Sequence, residues 1–202
     1  DHMVQAADAW RHQMLEQAAE LDDAFMEQYL EDEQSVDLET LRSALRSGTL
    51  SRACTPVFCG AALRNIGIQR LLDGVITFLP DPTEVPDVEG TNPKDSTEKL
   101  SRPSNTEAPF SGLVFKVVSD THGDLTYCRI YSGTLEKGTR VLNPANNKKE
   151  IVSRIYEMHA KDREALDSAH AGMIVALIGL KHSVTGDTLC SATEPVVLER
   201  MH

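Results

Sequence analysis

The residues able to do chemistry are few, and their spacing decides what they can do. The four cysteines, Cys54, Cys59, Cys128 and Cys190, nowhere stand as Cys-x-x-Cys. Three of them fall in apolar segments of strand length, where a free thiol behaves as a small hydrophobe, so neither a disulfide nor a metal site is expected. Of the seven histidines, four in the second half (His122, His159, His170, His182) lie in turns or at strand ends. None has a Cys or Ser partner at a spacing that would make a nucleophile. Asp187, in the turn Gly186-Asp187-Thr188, has the position of a carboxylate that caps backbone N–H groups. Gly60-Ala61-Ala62 turns the chain between an apolar segment, Thr55 to Cys59, and a helical pattern. Such a turn can offer backbone N–H groups to a ligand. The phosphate-cradling pattern GxxxxGK[ST] occurs nowhere in the 202 residues. Without it a triphosphate lacks its backbone cradle and lysine, and Mg²⁺ lacks its Ser/Thr ligand. The chain is not expected to hydrolyse a nucleoside triphosphate.

These groups sit on a chain with two textures. The net charge of −11 is uneven: residues 1–108 hold 9 Lys/Arg against 20 Asp/Glu, whereas 109–202 hold 11 of each. An acidic first half argues against broad nucleic-acid binding there and a DNA partner is not expected; a neutral second half can still present a local basic patch. No apolar run reaches the length of a membrane span. With scattered thiols and no signal-like start, a cytoplasmic protein with no membrane partner is expected.

The first half reads as helical. Ala7, Trp10, Met14, Ala18, Leu21, Phe25 and Tyr29 recur at steps of three or four, which predicts one amphipathic helix from Val4 to Leu30. A second helix should start at an Asp37 N-cap, with Val36 and Leu41 as a hydrophobic staple and Gly48 as its stop. Thr55 to Cys59 reads as a short buried strand. Ile68, Leu71, Leu72, Val75, Ile76 and Leu79 form the stripe of a third helix, ended by Pro80. Six of the nine prolines then fall between residues 80 and 109 amid polar residues, and an extended linker is expected there.

From Phe110 the pattern is all-β: Phe110 to Val118, Leu125 to Tyr131, Val141-Leu142, Ile151 to Met158, Ala165-Leu166, Met173 to Ile178 and Val196 to Leu198, separated by Gly and polar turns. One of those turns is Asn143 to Lys149. Short strands at this spacing predict a closed antiparallel barrel or sandwich.

The segments carrying these patterns resemble a known family. EQYLEDE with LRSALRSGT, and TPVFCGAALRNIGIQRLLDGVITFLPDP, look like the end of the GTPase domain of bacterial elongation factor G. FKVVSDTHGDLTYCRIYSGTLEKGTRVLN, RIYEMHAKDREALDSAHAGMIVALIGLKHSVTGDTLC and PVVLERM look like its second domain. The last two separate that factor and its close paralogues from elongation factor Tu and release-type factors. The resemblance implies an α+β, multi-domain fragment. Residues 1–79 would be the α/β end of a P-loop GTPase domain, 80–109 the linker, and 110–202 an antiparallel β-barrel of the translation-factor domain-two type.

It also implies partners. In the family, the turn matching Gly60, Ala61 and Ala62 brings backbone N–H groups to the guanine oxygen; Ala61 stands where the family has serine, so a hydroxyl contact is lost. The second domain rests on small-subunit ribosomal RNA, and the cations expected to face it are Lys148, Lys149, Lys161, Arg163 and Lys181. The intact protein would bind GTP or GDP with Mg²⁺ and drive ribosomal translocation in protein synthesis. The fragment, expected to hold no cofactor itself, would supply docking and coupling surface and pack on the remainder of its own GTPase domain. Two other readings of the residues stay open: a paralogue specialised in ribosome recycling or protection, and a β-barrel that binds a ligand or a protein partner.

Overall fold

The computed structural model describes residues 2–120, 123–160 and 162–198. The chain is α+β, and its contacts divide it into two units, Asp1–Asp81 and Pro82–His202.

The first unit has four helices. Where one helix from Val4 to Leu30 was expected there are two, α1 (His2–Ala19) and α2 (Asp23–Glu31). The break is chemical. Asp22 accepts the Phe25 N–H at 2.9 Å, so a side chain that competes with the helix backbone starts a new helix instead of continuing the old one. Helix α3 (Leu38–Leu50) begins as predicted: Asp37 accepts the Glu39 and Thr40 N–H groups, both at 2.8 Å, and Val36 and Leu41 are buried beside it. Gly48 is not its stop. It lies inside α3, where an added Cβ would meet the Leu21 side chain at 2.7 Å, so glycine is there for close packing. Leu15, Ala18, Ala19, Phe25, Val36, Leu41 and Ala44 make the small core of this bundle.

Thr55 to Cys59 forms no strand, against expectation, and no strand of the described residues lies in this unit. A strand exists only through a neighbour that takes its backbone hydrogen bonds. Helix α4 (Ile68–Phe78) does form, but its apolar stripe is not buried: Leu72 is 58% and Ile76 79% exposed. No helix among the described residues is long and apolar enough to cross a membrane.

In the second unit the expected linker is corrected. Residues 80–109 carry a hairpin, β1 (Val88–Asn92) and β2 (Asp95–Arg102), and β13 (Val197–Leu198) adds to the far side of β1. The prolines that suggested a linker, Pro86, Pro93 and Pro103, fall outside both strands and break no ladder. Val88 and Leu100 pack on a core of Leu113, Leu142, Cys190, Val196 and Leu198.

An antiparallel sheet of eight strands follows. Its members are β3 (Ser111–Asp120), β4 (Gly123–Ser132), β6 (Arg140–Asn143), β7 (Lys148–Ile151), β8 (Arg154–His159), β9 (Asp162–Leu166), β11 (Ile174–Ile178) and β12 (Thr188–Cys190). They run side by side in the order β7-β6-β12-β3-β4-β11-β8-β9. Strands β5 (Thr134–Glu136) and β10 (Ser168–His170) form a separate pair. The long strand expected from Ile151 to Met158 is in fact two, because Val152 and Ser153 lead β7 into β8. Those two residues join opposite ends of the sheet: Val152 N–H donates to Thr139 O at 3.0 Å, and Ser153 N–H to Ile178 O at 2.8 Å. Side chains from all round converge on one interior, including Val114, Ile130, Leu135, Val141, Val152, Val175, Leu177 and Leu189. Along β4, Thr126, Cys128 and Ile130 are buried while Tyr127, Arg129 and Tyr131 on the other face are half-buried, the alternation a curved one-sided sheet requires.

Cys128 and Cys190 are buried in this unit, and burial pushes the Cys128 thiol up to about 12. Cys54 is half-buried and Cys59, expected in a strand, is exposed.

Candidate nucleic-acid interface

Two loops of the barrel unit are locked together by buried polar side chains, and the lysines they carry point out. The β6–β7 hairpin turns through residues 144–147, with Asn147 at a positive φ of 55°. Asn143 accepts the Ala145 N–H and Asn146 the Lys148 N–H, both at 3.0 Å, so two short amides build the turn from their own side chains. The partner is the loop between β11 and β12, residues 179–187. Glu150, only 6% exposed on β7, accepts the backbone N–H groups of Lys181 and His182 with one oxygen and the Ser183 hydroxyl, at 2.6 Å, with the other. Asp187 accepts the Val184 N–H at 3.0 Å, the cap its turn suggested, and the buried Asn143 amide at 2.8 Å. Asn143 also donates to Ser183 Oγ at 3.2 Å, and Asn146 to the His182 carbonyl at 3.0 Å.

Burial alone would raise the Glu150 pKa. The hydrogen bonds from Ser183, Lys181 and His182, with the charge on His182, outweigh it and hold the carboxyl below its ordinary value. A buried carboxylate satisfied in this way fixes one loop geometry, because removing any donor leaves it unpaired.

The result places Lys148 and Lys149 at the start of β7 and Lys181 on the adjoining β11–β12 loop, all exposed. Lys148 and Lys149 are not in a turn as expected but on β7, paired with Asn143 and Leu142. Strand alternation sets Lys148 on the Glu150 side of β7 and Lys149 on the other. Among the described residues none of the three forms an ion pair within 4.0 Å. Arg163 belongs elsewhere: it stands opposite Met158 on the β8–β9 hairpin and is already engaged by another group. Lys161 and His122 lie outside the described residues.

Sequence reasoning missed Glu150 and Asn143. Glu150 follows two lysines, and nothing in the string separates a buried acceptor from one more surface charge. It also missed that Glu157, His159 and Glu164 face one another across β8 and β9, with ligand atoms within 4.8 Å. His159 Nε2 lies 3.8 Å from Glu164 Oε2, and both side chains are exposed.

The Gly60-Ala61-Ala62 turn is exposed and tightly closed. Ala61 donates to the Ile66 carbonyl at 2.9 Å and receives the Ile66 N–H at 3.2 Å. One of the three backbone donors expected to face a ligand is therefore used within the loop. Gly60 is required by packing, since a Cβ there would meet the Ile66 carbonyl oxygen at 2.8 Å.

Comparison with known proteins follows the same division of the chain. Residues 123–190 match the family model for elongation factor Tu domain 2. Over all 202 residues the chain is 45% identical to elongation factor G of Salinibacter ruber (strain DSM 13855 / M31), and it is 48% identical to elongation factor G of Ruegeria sp. (strain TM1040). A crystal structure of a Thermus thermophilus protein superposes with a TM-score of 0.71 at 25% identity, covering 96% of this chain and 26% of that one. The chain spans 29% of the length of each of the two elongation factor G sequences.

Proposed function

We propose, from the chain's 45–48% identity to elongation factor G sequences, that it supplies the barrel by which a ribosomal translocation factor rests on small-subunit ribosomal RNA. The observation that carries this reading is the pair of loops tied by Glu150 and Asp187, which presents Lys148, Lys149 and Lys181 free of carboxylate partners. Ammonium groups fixed on a rigid scaffold bind phosphates as point charges and release counterions when they do so. Arg163 would extend the same electrostatic footprint from β9.

In the intact protein the energy source would be GTP, bound with Mg²⁺ by a domain of which residues 1–79 are the end. Gly60, Ala61 and Ala62 would then border the guanine, with the Ala62 and Gly60 N–H groups as donors. The exposed apolar face of α4 supports this, since Leu71, Leu72, Val75 and Ile76 form the kind of surface that a soluble domain covers. The covering partner would be the rest of that domain. This chain, lacking GxxxxGK[ST], would contribute no hydrolysis.

Binding of the 202-residue chain to purified small ribosomal subunits, measured at several salt concentrations, tests the reading. Each phosphate neutralised adds a slope of roughly −0.9 in log K against log salt for duplex DNA, and a similar order is expected here. The double change Lys148→Ala and Lys149→Ala should flatten the slope by one to two such units. An unchanged affinity and slope would move the docking face elsewhere. Phosphate release from GTP that rises with GTP concentration would overturn the non-hydrolytic part.

A further inference from the structure

A second basic feature lies on neither loop, and nothing above accounts for it. Arg102, at the end of β2, is only 9% exposed. Its Nη1 donates to the Ser101 carbonyl at 3.1 Å and its Nη2 to the Glu194 carbonyl at 3.0 Å, but its buried Nε has no hydrogen-bond partner. Arg102 lines a cavity of about 150 Å³ together with Arg129, Ser104, Tyr131, Pro82 and Pro86. Arg129 lies over the Tyr131 ring at 5.5 Å, a stacking that leaves the edge of a guanidinium open to acceptors. Among the described residues neither arginine forms an ion pair within 4.0 Å. Asp87, the carboxylate that reaches this hairpin, is bonded to the Ser101 hydroxyl at 3.0 Å.

Two arginines thus line a small cavity with proline walls and no carboxylate among its lining residues. A buried cation satisfied only by two carbonyls is expensive, and a buried N–H left unpaired adds to the cost. An oxyanion in the cavity relieves the charge: it can accept from Arg129 and sit beside the Arg102 guanidinium, an attraction that does not require contact with the enclosed Nε. Apolar walls strengthen that attraction by lowering the local dielectric. The volume equals about five waters at ~30 Å³ each, room for a single tetrahedral ion and little more.

We propose that this cavity is a binding site for one phosphate-type oxyanion, held between Arg102 and Arg129. The ion is either free phosphate or the pendant phosphate of a small nucleotide; the site chemistry is the same for both.

The test uses the full chain labelled with ¹⁵N, following the Arg102 Nε–Hε resonance during titration with inorganic phosphate in chloride buffer of constant ionic strength. A saturable shift is expected. Arg129→Gln should weaken the titration at least tenfold, and Arg129→Lys, which keeps the charge but loses the planar fork, should fall between. Arg129 is half-buried on the outer face of β4, so these variants should fold even if Arg102→Gln does not. A parallel titration with guanosine monophosphate separates the sources: equal affinity assigns the pendant group, failure with phosphate still binding assigns the free ion. A shift that is linear, or that chloride reproduces at matched ionic strength, would overturn the proposal. So would phosphate affinity unchanged in Arg129→Gln.

Discussion

The two units use apolar residues in opposite ways. In the barrel unit, Ile130, Leu135, Val175, Leu177 and Leu189 are completely buried, and their strands find hydrogen-bonding neighbours within the unit. In the helical unit, Phe25 and Leu15 are as deeply buried, yet Val57, Leu63, Leu72 and Ile76 stand out in solvent. Helix α4 is the most amphipathic-looking stretch of the unit, yet Leu72 and Ile76 of its stripe stand in solvent. A helix makes its own backbone hydrogen bonds, so its ladder needs no neighbouring segment. A strand does not make its own, which is why Thr55 to Cys59 stays unpaired while the strands of the second unit pair with one another. What separates the units is the supply of partners for their faces, since both carry well-formed apolar patterns.

Matched truncations should expose this contrast most strongly. Leu177→Ala removes a fully buried side chain from the barrel core and should cost about 2–5 kcal/mol, read from urea unfolding followed by a barrel-specific probe. Leu72→Ala on α4 should cost less than about 0.5 kcal/mol by the same measurement. Equal costs would mean that α4 is covered in solution.

A smaller effect separates polar from apolar support within the barrel. Glu150→Ala leaves three donors without their acceptor and should destabilise the unit by about 2–3 kcal/mol. It should also loosen residues 181–184, seen as faster amide exchange confined to that loop. Because the Glu150 carboxyl titrates below its unfolded value, its stabilisation is complete above that value, about pH 4.3, and is lost as pH falls through the lower folded one. The stability gap between the wild type and Glu150→Gln should therefore be widest near neutral pH and close below about pH 4. A gap that persists in strong acid would show that the charge is not what Glu150 contributes.

In the helical unit, Asp22→Ala should cost about 1 kcal/mol, because the Phe25 N–H loses its cap. The helical signal should fall with it. If instead α1 and α2 merge into one helix without loss of stability, the break at Asp22 is not set by capping.

Much of the architecture was legible in the string. The Asp37 cap with its Val36–Leu41 staple, the stripe of α4 and most barrel strands follow from patterns that are local, since turn chemistry and periodicity act over a few residues. The lysines of the candidate interface were legible as types and as neighbours in sequence. Their arrangement was not, because what brings Lys181 to the β6–β7 hairpin is a carboxylate 31 residues away.

The errors share that cause. Gly48 carries the composition of a helix stop, and only the Leu21 side chain against it shows that it is a packing contact. The prolines between 80 and 109 suggested a linker, and only β13, from the far end of the chain, shows that β1 has a sheet to join. Sequence by itself determined where α3 and α4 begin, which residues alternate along β4, and that the pattern GxxxxGK[ST] is absent from the 202 residues. Tertiary structure alone decided which faces are covered and which carboxylates are buried. Local rules act through bonds and torsions within one turn or pleat, whereas burial and pairing depend on segments that meet only after the chain has closed on itself.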